Sequence, residues 1–561
     1  MILDLSFLRK EGRRDVILQV ICRKLRNGCA RNLFCRAILL FLLLVCAASQ
    51  IIIKAGNPHA AVKTEEDLEL KVRSVINLYR PDDSYGKIKI RSPLNNSLFP
   101  LDMASPLFEW DEMEDSVAQW LLIVRLEDQP ALYFTSSQPY WDPKRDVWEK
   151  IKRNSTHHPA EITILGLRRN PQTEVISAGT VKIYTSNDAV GAPIMFRRVP
   201  PSFSYASLHP DLLEWCLGDI SSYERPTVIM SKQPFCSSCH TFSMDGKFIG
   251  MDIDYGGDKG AYLLTPLREN ILLTRQDLFS WGDFPRNDGL AASGIFSRLS
   301  PNGDYVVSTV NDISFLAKIS DPYCSQLFFP IQSNLAYYDK SDRMIRRLVT
   351  GDLRREIVET DPSWSPDGKY LLFSRTTMTR DLFRELGGDT IFSVEDTDID
   401  RLNNKYPVQF DIYRVPFSRG RGGSARALPG ASHNGRSNYF GRYSPDGKWI
   451  VFTQSDSGLV LQPDSRLRIM PSDGSISRPM QCNRSRLNSW HTWSPNSRWL
   501  AFVSKENMPY TELYLTHIDE DGNDSVPVRV SRFNKPGFAI NVPEFANIKA
   551  GGIQKIQIIQ E

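Results

Sequence analysis

The sequence predicts an all-β protein, a β-propeller preceded by an immunoglobulin- or fibronectin-like β-sandwich, with a hydrophobic segment near the N-terminus. Three observations predict it. A turn-and-strand pattern recurs five times between residues 242 and 502, residues 85–186 break into short strands separated by turn residues, and a 17-residue run without charge follows a basic leader. A chain of 561 residues is too long for one core, and its 34 Gly and 35 Pro supply turns for a β-rich body. A net charge of +3 is too small to imply a nucleic-acid partner.

Residues 1–36 carry Arg9, Lys10, Arg13, Arg14, Arg23, Lys24, Arg26, Arg31 and Arg36 against three acids. Ala37–Ile53 is the charge-free run, and its 17 residues sit at the lower limit for a transmembrane helix. The basic flank predicts a cytoplasmic N-terminus, with the bulk of the chain in the periplasm or outside the cell. Val45-Cys46-Ala47-Ala48-Ser49 also suits signal peptidase, so residues 37–53 are an anchor or a signal sequence. Residues 54–84 form a helical linker. There Thr64 and Asp67 make a capping box, and Leu68, Val72, Val75, Ile76 and Tyr79 share one face.

Residues 85–186 read as strands alone. Lys87–Ile90, Leu107–Trp110, Trp120–Arg125, Ala160–Leu165 and Gly179–Tyr184 are bounded by Pro, Asn, Asp and Gly, and Trp110 and Trp120 fall on inward positions. That is the pattern of a sandwich. It carries no catalytic signature, which suits a spacer or docking module.

Residues 187–533 are read as the propeller, and from residue 240 onward the chain repeats itself. Ser300-Pro301-Asn302-Gly303, Ser365-Pro366-Asp367-Gly368 and Ser444-Pro445-Asp446-Gly447 are echoed by Ser243-Met244-Asp245-Gly246 and Ser494-Pro495-Asn496-Ser497. Each is followed by an apolar strand. Pro presets φ for a turn, Asp or Asn bonds its own backbone, and Gly takes positive φ. Intervals of 50 to 79 residues, each holding a small antiparallel sheet, mean propeller blades. The longest interval holds an acidic insertion, residues 376–407, read as an external loop. Residues 534–561 are left as a C-terminal tail.

These lines resemble the TolB-type propeller repeat over about residues 230–533. The resemblance implies closure at six blades, the sixth shared between Pro226–Met230 and the late strand Pro527–Ser531. Asn488–Trp493, Tyr510–Asp519 and Val542–Phe545 further resemble exported bacterial propellers that carry a CxxCH motif before the first repeat.

That motif is Cys236-Ser-Ser-Cys239-His240. Two thiols at this spacing can join the vinyl groups of one haem c, with His240 as the proximal iron ligand. A Cys236–Cys239 disulfide or half of a zinc site are the alternatives, although no further Cys or His follows at zinc spacing. His240 stands three residues before its turn serine, which places it near the mouth of the channel. Read in that register, the repeats give His240, Ser297, Pro362, Gly441 and His491. His491 is therefore a candidate distal ligand, with Met251 and Met230 as substitutes. Asp252, Asp254 and Asp258 resemble a calcium loop but lack its terminal Glu.

No G-x-S-x-G, HExxH or phosphate loop appears. The leading reading is a membrane-anchored extracytoplasmic propeller with a c-type haem, for electron transfer or redox sensing with an unnamed redox partner. The alternative is a haem-free TolB-like scaffold that binds envelope proteins or glycans.

Overall fold

A computed structural model describes residues 65–558, apart from 170–172, 202, 234–236, 287–291, 319–325, 353, 355, 379–402 and 405–406. The charge-free run 37–53, Cys236 and most of the acidic insertion lie outside the described residues. No helix among the described residues is long and apolar enough to cross a membrane. The chain divides into a unit ending at Asn77 and a unit running from Leu78 to Glu561. The first is described by the helix Glu65–Leu78, which covers most of the span predicted from Thr64.

In the second unit, Gly86–Lys87, Ser97–Phe99, Val117–Arg125, Leu132–Ser136, Ala160–Arg168 and Val175–Thr185 form one sheet. Lys89–Ser92, Phe108–Asp111 and Tyr140–Trp141 form another. Alternation puts Trp110 and Trp120 in one core, edge to face with ring centroids 5.7 Å apart. The expectation of strands alone needs one correction. Arg145–Arg153 is a helix, and its Trp148 and Ile151 are fully buried. Their spacing of three places both on one helical face.

The rest of this unit is a series of small sheets. The first holds Ile194–Val199, Glu214–Gly218 and Thr227–Ser231; the second holds Ser237–Phe242, Phe248–Ile253, Ala261–Pro266 and Leu278–Ser280. The third starts at Ile295–Leu299 and the fourth at Ile357–Trp364, joined by a single Ser333–Val358 pairing. Ser437–Tyr443 opens the fifth and Asn488–Trp493 the last. From the second sheet onward the opening strands pack each on the next in chain order. The whole is an all-β, propeller-like body.

Two expectations about the C-terminus are corrected. Val528–Arg529 does not join the first sheet; it pairs with Glu512–His517 as the outer strand of the last. Residues 534–561 are not a free tail. Ala539–Phe545 pairs antiparallel with Ile194–Val199 and packs on both Asn488–Trp493 and Ser237–Phe242. Ile540 and Phe545 are buried there, so this strand serves as the inner strand that the first sheet otherwise lacks. Thr227–Ser231 is the outer strand of that sheet.

The repeated turn works as its residues require. Ser365 Oγ donates to Asp367 at 2.7 Å and accepts from the Tyr370 amide at 2.9 Å. Ser444 and Ser494 make the same pair of bonds. Gly246, Gly303, Gly368 and Gly447 all have φ between 68° and 76°, where a side chain is disfavoured. Ser497 adopts the same conformation in the last repeat, at φ 60°.

Candidate functional site

Each inner strand carries a β-bulge a few residues before its turn. The pairing slips between Ser237 and His240, Ile295 and Arg298, Thr360 and Ser363, Tyr439 and Arg442, and Ser489 and Thr492. In five inner strands a bulge residue has left-handed φ: Phe296, Asp361, Phe440, Trp490 and Val542, at 44° to 57°. Such conformations are costly for non-glycine residues, most of all for β-branched Val542, and cluster where function holds them. The bulges turn the residues that follow them toward a common space.

Two residues before each turn serine stand Thr241, Arg298, Ser363, Arg442 and Thr492, with Glu544 in the equivalent place on Ala539–Phe545, the closing strand of the first sheet. All six line one funnel of about 200 Å³. Its wall is aromatic, including Phe242, Trp364, Tyr443 and Trp493, and a proline of each Ser-Pro turn forms the rim. Sideways it meets a groove of about 820 Å³ between the third and fourth sheets, which shares Trp364, Pro301 and Pro366 with it.

Salt bridges form the floor. Arg298 Nη1 donates to Glu544 Oε2 at 2.8 Å, and Arg442 Nη2 to Asp361 Oδ1 at 3.2 Å. Tryptophans of the following sheets hold the arginine backbones. Trp364 Nε1 donates to the Arg298 carbonyl at 3.0 Å, and Trp493 Nε1 to that of Arg442 at 3.4 Å. Burial pushes the Asp361 carboxyl up to about 6, against the pull of Arg442 and Arg298. Its Oδ2 is buried with no well-formed hydrogen bond among the described residues.

Arg298, Arg442 and Glu544 also border a second, narrower cavity of about 20 Å³. The sequence-predicted residues are here: Cys239, His240 and His491 all line it. The two histidines occupy equivalent places. His240 Nε2 donates to the Met195 carbonyl of the first sheet at 3.1 Å, and His491 Nε2 to the Val451 carbonyl of the fifth at 3.0 Å. Each ring therefore ties its own sheet to the preceding one, and neither Nδ1 has a well-formed hydrogen bond among the described residues. Burial lowers the pKa of His240 to about 4 and, with the charge of Arg442, that of His491 to about 3, so both are neutral near pH 7. Burial, with Asp252 adding to it, pushes the Cys239 thiol up to about 11.

This arrangement does not fit a haem. The proximal nitrogen of His240 is committed to a backbone carbonyl, and about 20 Å³ holds roughly one water molecule. Met251 is buried beside His240 in the sheet, and Met230 lies on the outer strand of the first sheet. Asp252, Asp254 and Asp258 are not gathered into a metal-binding group among the described residues. Asp252 instead accepts from Ser297 Oγ at 2.5 Å, tying the second sheet to the third, and Asp258 caps the Gly260 amide.

Arginines at alternate inner strands carry no sequence signature of their own. Reading the repeats two residues before the serine, instead of three, would have found Arg298 and Arg442.

No protein-family model matches the chain, and no curated protein does. Among solved structures, a protein of Bacteroides uniformis described as a candidate 6-phosphogluconolactonase is 12% identical. That match spans 74% of this chain and 98% of the other at a TM-score of 0.29, too slight to inform fold or function.

Proposed function

We propose that the chain is an exported, membrane-anchored, six-bladed propeller of the TolB kind that works as a binding scaffold for an envelope protein or glycan. The funnel carries this reading: six inner strands present equivalent residues to one space closed below by Arg298 and Glu544. Concave, mostly apolar sites with a few convergent polar groups are where proteins take ligands. The adjoining groove gives room for a partner larger than the funnel. The basic flank and apolar run of residues 10–53 support anchoring with the propeller outside the cytoplasm. A photo-crosslinking residue in place of Met244, 40% exposed on the funnel rim, should capture an envelope component in intact cells. The same residue in place of Ile476, 81% exposed elsewhere, should not. Equal labelling at both sites, or none at Met244, refutes the scaffold.

A second reading keeps covalent haem on Cys236, Cys239 and His240, supported by the motif itself. It requires His240 to release the Met195 carbonyl and the narrow cavity beside it to open. When bound, such a group would supply one-electron transfer. Full-length protein made with haem-maturation machinery decides between the two. A Soret band that survives acid-acetone extraction, and is lost when Cys236 and Cys239 are both Ala, establishes haem; colourless protein excludes it.

A further inference from the structure

We propose that the funnel floor is a carboxylate site, and that its ligand carries a carboxylate on a compact, flat apolar body. The proposal rests on the scaffold reading and names what the funnel takes. Two guanidiniums enter the same space at the same register from the third and fifth sheets, with side chains only 16% and 13% exposed. One of them already holds a carboxylate. Glu544 reaches Arg298 from the closing strand, past the second sheet, so the protein's own acid occupies the seat that a ligand would take.

The geometry favours a carboxylate for two reasons. A planar guanidinium offers paired donors that match two carboxylate oxygens. Arg298 Nε is buried with no hydrogen-bond partner among the described residues, which leaves a donor for a second oxygen. A bound anion would take Arg298 from Glu544 while Arg442 keeps Asp361. The backbones of both arginines stay clamped by Trp364 and Trp493, so the exchange moves side chains only.

The walls set the rest of the ligand. Phe242, Trp364, Tyr443 and Trp493 surround the floor, and flat groups stack on such surfaces. A volume of about 200 Å³ is below the range of drug-sized pockets and admits about one ring and its acid. Such a group is either a free acid bearing one ring or the C-terminal residue of a polypeptide. Both offer the same chemistry to the floor.

The test uses full-length protein in detergent, following quenching of tryptophan fluorescence and, in parallel, calorimetric titration. The probes are N-acetyl-L-phenylalanine, its amide, and 3-phenylpropionate. N-acetyl-L-phenylalanine should bind and the amide should bind at least about tenfold more weakly. Binding by 3-phenylpropionate as tight as that of the N-acetyl amino acid assigns a free acid, whereas weaker binding assigns a polypeptide terminus. Arg298→Lys should weaken the carboxylates about tenfold, since an ammonium cannot offer the paired donors. Glu544→Gln should strengthen them by removing the resident acid, a gain that misfolding cannot produce. Equal binding of acid and amide overturns the carboxylate assignment while leaving the scaffold in place. The absence of binding by every probe, or weaker binding in Glu544→Gln, overturns the assignment as well. The scaffold itself stands or falls on the crosslinks at Met244.

Discussion

Replacing His240 by Gln should make the protein less sensitive to acid. Gln can still donate to the Met195 carbonyl but does not titrate, so near pH 7.5 the change costs about 1 kcal/mol, the scale of one perturbed hydrogen bond. The folded-state pKa of His240 is about 4, lowered by burial and by Arg298 and Arg197 against the opposing pull of Glu544 and the Met195 carbonyl. The unfolded chain takes up its proton near 6.5. Between these values the unfolded state binds more protons, so the histidine's contribution is fully present above about 6.5 and is lost as pH falls toward 4. At pH 5 the loss is about 2 kcal/mol, from roughly 1.5 units at 1.36 kcal/mol each.

Asp252 and Asp361 act in the opposite sense. Burial raises them to about 7 and about 6, so the folded state binds more protons there and gains stability on acidification. A wild-type pH profile alone therefore shows little. The measurement is the difference in urea midpoint between His240→Gln and wild type at pH 7.5 and pH 5, in which the carboxylates common to both chains cancel. The variant should gain about 2 kcal/mol relative to wild type across that range. Parallel profiles would show that His240 is not buried neutral, and the link to Met195 would have to be abandoned.

Ending the chain at Gly537 removes Ile540, Phe545, Ile553 and Ile556, all buried. At about 1.5–3 kcal/mol each the loss approaches the whole stability of a typical domain, so limited proteolysis should degrade the truncated protein rapidly; a wild-type urea midpoint would refute this. Ser297→Ala takes the hydroxyl from buried Asp252 and should cost about 1–3 kcal/mol by the same midpoint assay, whereas an unchanged midpoint refutes the inter-sheet link. A reporter fused after Lys63 should be active only outside the cytoplasm, and cytoplasmic activity would overturn the topology drawn from the basic leader.

The repeated turn made most of the body legible, because each of its residues has a local job that no tertiary context alters. Ser365, Asp367 and Gly368 announce their hydrogen bonds and positive φ directly. The closing strand was hidden for the opposite reason. Ala546 stands where the other repeats have serine, and Pro543 in the strand interior argues against a strand. The signal was nonetheless present. Val542-Pro543-Glu544-Phe545 matches Asp361-Pro362-Ser363-Trp364, and in both the proline falls at the bulge, where its missing amide leaves no ladder bond unmade. The helix Arg145–Arg153 is too short for its periodicity to stand out among strands. The narrow cavity was partly legible, since histidine is scarce and two share one register. The funnel floor was not, because the partner of Arg298 lies 246 residues away on a strand without the motif.

The closing strand also sets a timetable for synthesis. Ile194–Val199 leaves the ribosome about 340 residues before Ala539–Phe545, which pairs with it. At roughly 5–20 residues per second that strand waits some 20–70 s with a bare row of amides and carbonyls. An unpaired apolar edge is the usual seed of aggregation, and any neighbouring chain can fill it. Nascent chains crowded on one messenger would be the most exposed to such mispairing. Slowed elongation anywhere between residues 199 and 539 should thus lower the yield of folded protein without altering the stability of the molecules that finish.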